Sequence, residues 1–190
     1  MSKKWQSREF SLSDKHRWKA KRGNKIFVIN RGAVHLEYPG DWVVKPEGDT
    51  ICIYDGEEPD DDIRLQVSVT QFGPDGTIVN WGIFPPLEHY MNTVVLKNDI
   101  RHRTRKGPLL KVRRSDLEYA WLEIDFIDPV EKRKAHSRAC LARGGNVQAL
   151  ITMEYWPEDH AIANDVWNGA LESLKLGEYV ENPFRGPLNR

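Results

Sequence analysis

The segment Ile63-Arg64-Leu65-Gln66-Val67-Ser68-Val69-Thr70 constrains the fold more than any other stretch of this chain. Its apolar residues fall on odd positions alone. A strand turns successive side chains to opposite faces, so this pattern buries one face and wets the other. Such a strand needs partners, and the surrounding text supplies them. Residues 34–38 alternate and end at Pro39-Gly40, Trp42-Val43-Val44 leads into Pro46-Glu47-Gly48-Asp49, and Ile51-Cys52-Ile53-Tyr54 follows. Turn residues at this spacing predict antiparallel hairpins. Three further strands are predicted at 119–127, 134–143 and 147–156, the last two joined by a three-residue loop, Gly144-Gly145-Asn146.

Two amphipathic helices interrupt the strands. Pro85-Pro86 opens one, in which Leu87, Tyr90, Met91, Val94 and Val95 recur at i, i+3, i+4, i+7 and i+8. The other starts near Pro157-Glu158-Asp159, carries a stripe of Ile162, Val166, Trp167, Ala170, Leu171 and Leu174, and has Gly177 as its expected C-cap. A short helix is also expected after Ser11 or Ser13, with Trp18 inside it. The basic run from Lys97 to Arg114, broken by Gly107-Pro108, reads as a loop. The fold class is therefore α+β, with one domain on a mostly antiparallel sheet. That domain spans 32–178, after a basic, partly helical lead-in of residues 1–31 and before a tail of residues 179–190.

The run Tyr38-Pro39-Gly40-Asp41-Trp42, the strand Val67-Ser68-Val69 and the ending WNGALESLKL, Trp167 to Leu176, resemble the PsbP-like superfamily. That group also holds the Ran-binding, Mog-type nuclear-import factor and many bacterial domains. The resemblance covers residues 33–177 and leaves the lead-in outside. It implies an α/β/α sandwich, and it implies binding or assembly rather than a shared catalytic set.

The chain carries 28 Lys+Arg against 28 Asp+Glu, so its formal net charge is zero, but the signs are segregated. Residues 1–31 sum to +8, residues 97–114 to +7, and the remainder to −15. If the basic segments meet, the molecule has poles. The negative remainder argues against nucleic acid, although the basic segments with Trp5 or Trp18 keep phosphate or single-strand binding as an alternative. The apolar runs are only a few residues long, the N-terminus lacks an apolar signal core, and the two cysteines read as buried free thiols. A cytoplasmic protein without membrane contact is expected.

No CxxC, HExxH, GxSxG, Walker loop or GxGxxG is present, and the acidic loop 55–62 lacks EF-hand spacing. No catalytic residue, metal or cofactor is assigned. Pairing Ile127 with Lys134 and Arg143 with Val147 puts Leu122, Ile124, Phe126, Ala139, Leu141, Ala149 and Ile151 on one core face. The opposite face then carries two cross-strand rows, Glu123–Arg138–Thr152 and Asp125–His136–Glu154. A histidine between carboxylates suits acid/base work or, with further ligands, a metal. Alternating charge across a sheet explains the rows better, because no nucleophile or third ligand is placed nearby, so a small enzyme or ligand pocket at His136 stands only as an alternative. The leading expectation is a noncatalytic binding or assembly module. It engages a protein partner or further copies of itself through loops that carry Trp81 and Phe84 and the basic residues Arg101, Arg103, Arg105 and Lys106.

Overall fold

A computed structural model describes residues 16–187. The alternating segments form eleven strands: β1 Asn24–Ile29, β2 Val34–Pro39, β3 Val43–Glu47, β4 Thr50–Tyr54, β5 Ile63–Gln71, β6 Arg103–Lys106, β7 Leu110–Arg113, β8 Leu117–Ile127, β9 Lys134–Gly144, β10 Val147–Tyr155 and β11 Lys175–Leu176. Eight of them make one sheet in the order β3-β4-β5-β10-β9-β8-β6, with β7 also pairing β8, and β1-β2-β11 make a smaller sheet. Every pairing among the described residues is antiparallel.

Helical layers cover both faces of the large sheet. On one face, Leu65 and Val67 of β5, Ile151 and Met153 of β10 and Cys140 of β9 pack with β1, β2 and Trp167, Ala170 and Leu171 of the closing helix. On the other, Ala120, Leu122, Ile124, Ala139 and Leu141 meet Leu87, Met91 and Leu96 of the central helical segment. This is the α/β/α arrangement expected of a PsbP-like chain.

The central segment runs through α1 (Leu87–Tyr90), a π turn (Met91–Val95) and α2 (Leu96–Asn98). The π turn changes which residues are buried. In an unbroken α-helix Leu96 would lie opposite Leu87, but the wider turn swings it back onto the sheet, where it is buried while Val94 is exposed. The closing helix, α3 (His160–Ser173), buries Ala163, Trp167, Ala170 and Leu171, and Ile162 points outward instead of inward. Its C-cap is Leu174, not Gly177.

Two other expectations are corrected. The basic run is not a loop: residues 103–106 and 110–113 are the exposed strands β6 and β7, both paired with β8. A four-residue exposed edge strand buries no face, so it leaves no alternation to read. The loop between β9 and β10 is one residue shorter than expected. Gly144 pairs with Val147, so Gly145 and Asn146 form a two-residue turn, and Gly145 takes φ +52° as such hairpins require. Ile127 does pair with Lys134, but Arg143 lies opposite Gln148, and the slip turns β10 over. Ala149 and Ile151 therefore face α3, while Thr152 and Glu154 leave the expected rows for the other face.

The expected boundary after residue 31 falls within the β1–β2 hairpin. The start of the helix placed after Ser11 or Ser13 lies outside the described residues, and the chain at Trp18 is not helical. The tail docks: the Trp18 indole donates to the Pro183 carbonyl at 2.7 Å and meets the His35 ring edge-on.

Candidate functional site

On the α3 face, β8 presents Glu123 and Asp125, and β9 sets Arg138 and His136 directly opposite them. Arg138 Nε donates to Glu123 Oε2 at 2.8 Å, and His136 Nδ1 lies 2.9 Å from Asp125 Oδ1. The reversed register brings Tyr155 of β10 beside His136 in place of Glu154. Its hydroxyl donates to Glu123 Oε2 at 2.6 Å, its ring stacks on the imidazole, and His160 at the start of α3 closes over both. From the sheet edge, Arg105 Nε donates to Asp125 Oδ2 at 2.9 Å, and its Nη2 reaches Asp125 Oδ1 and Glu123 Oε1, each at 3.0 Å. Lys134 Nζ adds a contact to Asp125 Oδ2 at 3.1 Å.

The electrostatics follow from these bonds. The hydrogen bond from Arg105, helped by Lys134 and His136, holds the buried Asp125 carboxyl well below the usual carboxylate range. Burial alone would raise Glu123, but the bonds from Tyr155 and Arg138 outweigh it and hold that carboxyl low as well. Donor atoms of Glu123, Asp125 and His136 lie within 4.8 Å of one another, close enough to hold a metal ion. Their oxygens already accept from two arginines, a lysine and a phenol, so an entering cation would have to displace Arg105 and Lys134. The cluster fits an ionic brace across β6, β8, β9 and β10 better than a metal or acid/base centre.

Glu154 sits on the reverse face, where it takes Arg64 at 2.8 Å and also pairs with Arg101. Arg101 is further held by Asp99 at 2.8 Å and lies over the Phe126 ring. Lys106 donates to Asn92 at 2.9 Å, and Arg103 stands exposed on β6. The basic residues of 101–106 are thus divided between two faces, and Arg101 and Arg105 are paired with carboxylates of the chain itself. Both basic segments do reach one point, the end of α3: Lys21 pairs with the Glu172 carboxylate at 2.6 Å, and Arg114 donates to the Glu172 carbonyl at 3.0 Å.

Trp81 and Phe84 lie at the opposite end of β8, since Arg103 pairs with Phe126 while the β9–β10 turn lies beside Leu117. The nine residue steps from 117 to 126 span roughly 30 Å. A 3₁₀ turn, Trp81–Ile83, is capped by the Asn80 side chain accepting from the Gly82 N–H. The Trp81 indole donates to the Gly145 carbonyl at 3.0 Å, and the rings of Phe72, Trp81 and Phe84 form a trio with centroids 5.2 to 5.3 Å apart. Beside them opens a cleft of about 690 Å³ between the 76–86 segment and the 113–118 segment.

Sequence reasoning missed the residue that anchors this cleft. Arg143, 2% exposed, lies within 5.3 to 5.8 Å of the Trp81, Phe84 and Tyr90 ring centroids. Its Nη1 donates to the Pro85 carbonyl at 2.7 Å and its Nε to Gln148 Oε1 at 2.9 Å, while Nη2 has no partner among the described residues. The available signal was a charged residue ending a run that is otherwise small and apolar, Ala139-Cys140-Leu141-Ala142-Arg143.

Two covered faces, antiparallel strands and an amphipathic closing helix define a PsbP-like α+β fold. The chain belongs to the Alr1449 family, whose model matches residues 25–180. A relative in Nostoc sp., the uncharacterized protein alr1449, is 37% identical over 183 residues, which is 96% of this chain and 92% of that one. Among solved structures, cyanobacterial PsbP (CyanoP) from Synechocystis sp. superposes with a TM-score of 0.56 at 12% identity, covering 83% of this chain and 94% of that chain. A Bacteroides thetaiotaomicron protein superposes with a TM-score of 0.51 at 14% identity, covering 81% of this chain and 48% of its own. At these identities the likeness is one of fold. No helix among the described residues is long and apolar enough to cross a membrane.

Proposed function

We propose that this chain is a noncatalytic binding module that engages a protein partner, or a further copy of itself, through the cleft beside Trp81 and Phe84. The observation that carries this reading is an uncovered apolar rim. Ile78 on the cleft wall is 96% exposed and Ile83 in the 3₁₀ turn is 78% exposed, flanking the half-buried ring trio. Large apolar side chains grouped around aromatic rings mark contact surfaces, because covering them removes water from apolar area. Arg101, Arg105 and Lys106 drop out of this surface, because they are engaged internally roughly 30 Å away. A reducing, cytoplasmic setting is supported by two cysteines that are both buried and free.

The test uses Ile78→Asp/Ile83→Asp, two changes at exposed positions that should leave the melting temperature nearly unchanged. Crosslinking in extracts and light scattering across a concentration series should show a specific partner, or self-association, in the wild type and its loss in the variant. A partner or oligomer retained by the variant, or neither one in the wild type, would sink the reading.

A further inference from the structure

Arg143 poses a problem that the binding reading does not by itself solve. A guanidinium offers five N–H donors and cannot shed its proton at ordinary pH. Here it is buried among three aromatic rings, with no carboxylate in hydrogen-bonding contact. Its bonded partners are neutral, the Pro85 carbonyl and the Gln148 amide oxygen. Burial lowers its pKa, and Glu118, directly opposite it on β8, opposes this without reaching hydrogen-bonding distance. The other buried arginine, Arg138, has Glu123 at 2.8 Å. A buried cation with no bonded counter-charge is costly, and an orphaned Nη2 adds to that cost. Arg143 also lines the cleft, and so does Arg113, an exposed arginine; Glu118 stands opposite both in the strand register and lines the cleft too, but forms an ion pair with neither among the described residues.

We propose that the cleft beside Trp81 is a carboxylate-recognition site, in which Arg143 Nη2 and Arg113 receive an acidic side chain of a partner peptide whose apolar neighbours pack on Trp81, Phe84 and Ile78. This deepens the binding reading and rests on it. Planar guanidinium matches planar carboxylate, and a charge-assisted bond in so apolar a setting is among the stronger polar contacts available. Rings stacked on a guanidinium hold it flat, so little orientation is lost on binding. Nη2 is buried in the free protein, so engagement requires the 3₁₀ turn of Trp81 to shift. That turn is held by few bonds, chiefly those of its indole and the Asn80 cap.

Selection of displayed random dodecapeptides on the full chain tests this directly. Selected binders should carry an Asp or Glu flanked by apolar residues, and replacing that acid by its amide should weaken binding at least tenfold on wild-type protein. The arginine substitutions Arg143→Gln and Arg113→Ala should each erase most of the acid-to-amide difference, with folding checked by circular dichroism. Because the acid-to-amide comparison needs no protein variant, a misfolded Arg143→Gln leaves the test intact. Binders that depend on Trp81 but tolerate the amide would overturn the carboxylate site and leave the binding reading standing. No enrichment above a Trp81→Ala background would overturn both.

Discussion

Asp125 is bonded to Arg105, Lys134 and His136 together, and this environment sets how acid affects the protein. Its folded pKa is depressed, as is that of Glu123. Their contribution is fully present above the unfolded carboxylate values of about 4 and is lost as pH falls towards the folded ones. Asp125→Asn should cost about 3 kcal/mol at neutral pH, because Arg105, Lys134 and His136 would lose a shared, buried counter-charge. Urea denaturation between pH 7 and pH 2 should show wild-type stability falling more steeply below pH 5 than that of the variant. Parallel acid limbs would show that the brace contributes little. The pairs Glu123–Arg138 and Asp125–His136 were legible in the sequence because one hairpin register fixes both. Tyr155 was not, because a one-residue change in the next turn decides which of Glu154 and Tyr155 lies beside His136.

At the scale of elements, the end of α3 shows tertiary contacts supplying what local sequence does not. The helix stops at Ser173 without a left-handed cap, since Leu174 is extended. Arg114, arriving from the segment between β7 and β8, donates to the carbonyls of Glu172 and Leu174. A cation there answers both the open carbonyls and the negative end of the helix. Arg114→Ala should therefore cost about 1–2 kcal/mol, and amide exchange should quicken in the last turn of α3 before elsewhere; unchanged exchange there would assign the capping to another group. Gly177, expected to cap this helix, instead holds φ +68° where its backbone passes the Gly145 turn. Strands with one wet face and helices with one dry face announced themselves through period. The edge strands β6 and β7 and the π turn did not, because their identity rests on a neighbour's hydrogen bonds and on one added residue per turn.

Across the whole molecule, the two ends of the described chain close on each other. Arg17 N–H donates to the Arg185 carbonyl at 2.8 Å, the Trp18 indole to Pro183 at 2.7 Å, and Gly186 lies against the Trp18 ring, where a side chain would collide. Deleting residues 181–190 should uncover Trp18, lower the melting temperature by about 4–8 °C for a loss of ~2 kcal/mol, and red-shift the tryptophan emission. An unchanged spectrum would mean that the tail contributes no burial.

Periodicity and turn chemistry by themselves determined the α+β class, the antiparallel hairpins and the two amphipathic helices, because those depend on which residues can leave water at a spacing of two or of about 3.6. Beyond the pairs that the β8–β9 hairpin sets, the tertiary structure alone decided which charges meet. It placed Arg143 under the Trp81 rings and Arg105 over Asp125, and it separated Glu154 from His136. Those contacts join residues tens of positions apart through strand register, and a single added or missing turn residue reverses a strand's faces without altering the hydrophobic pattern that a sequence displays.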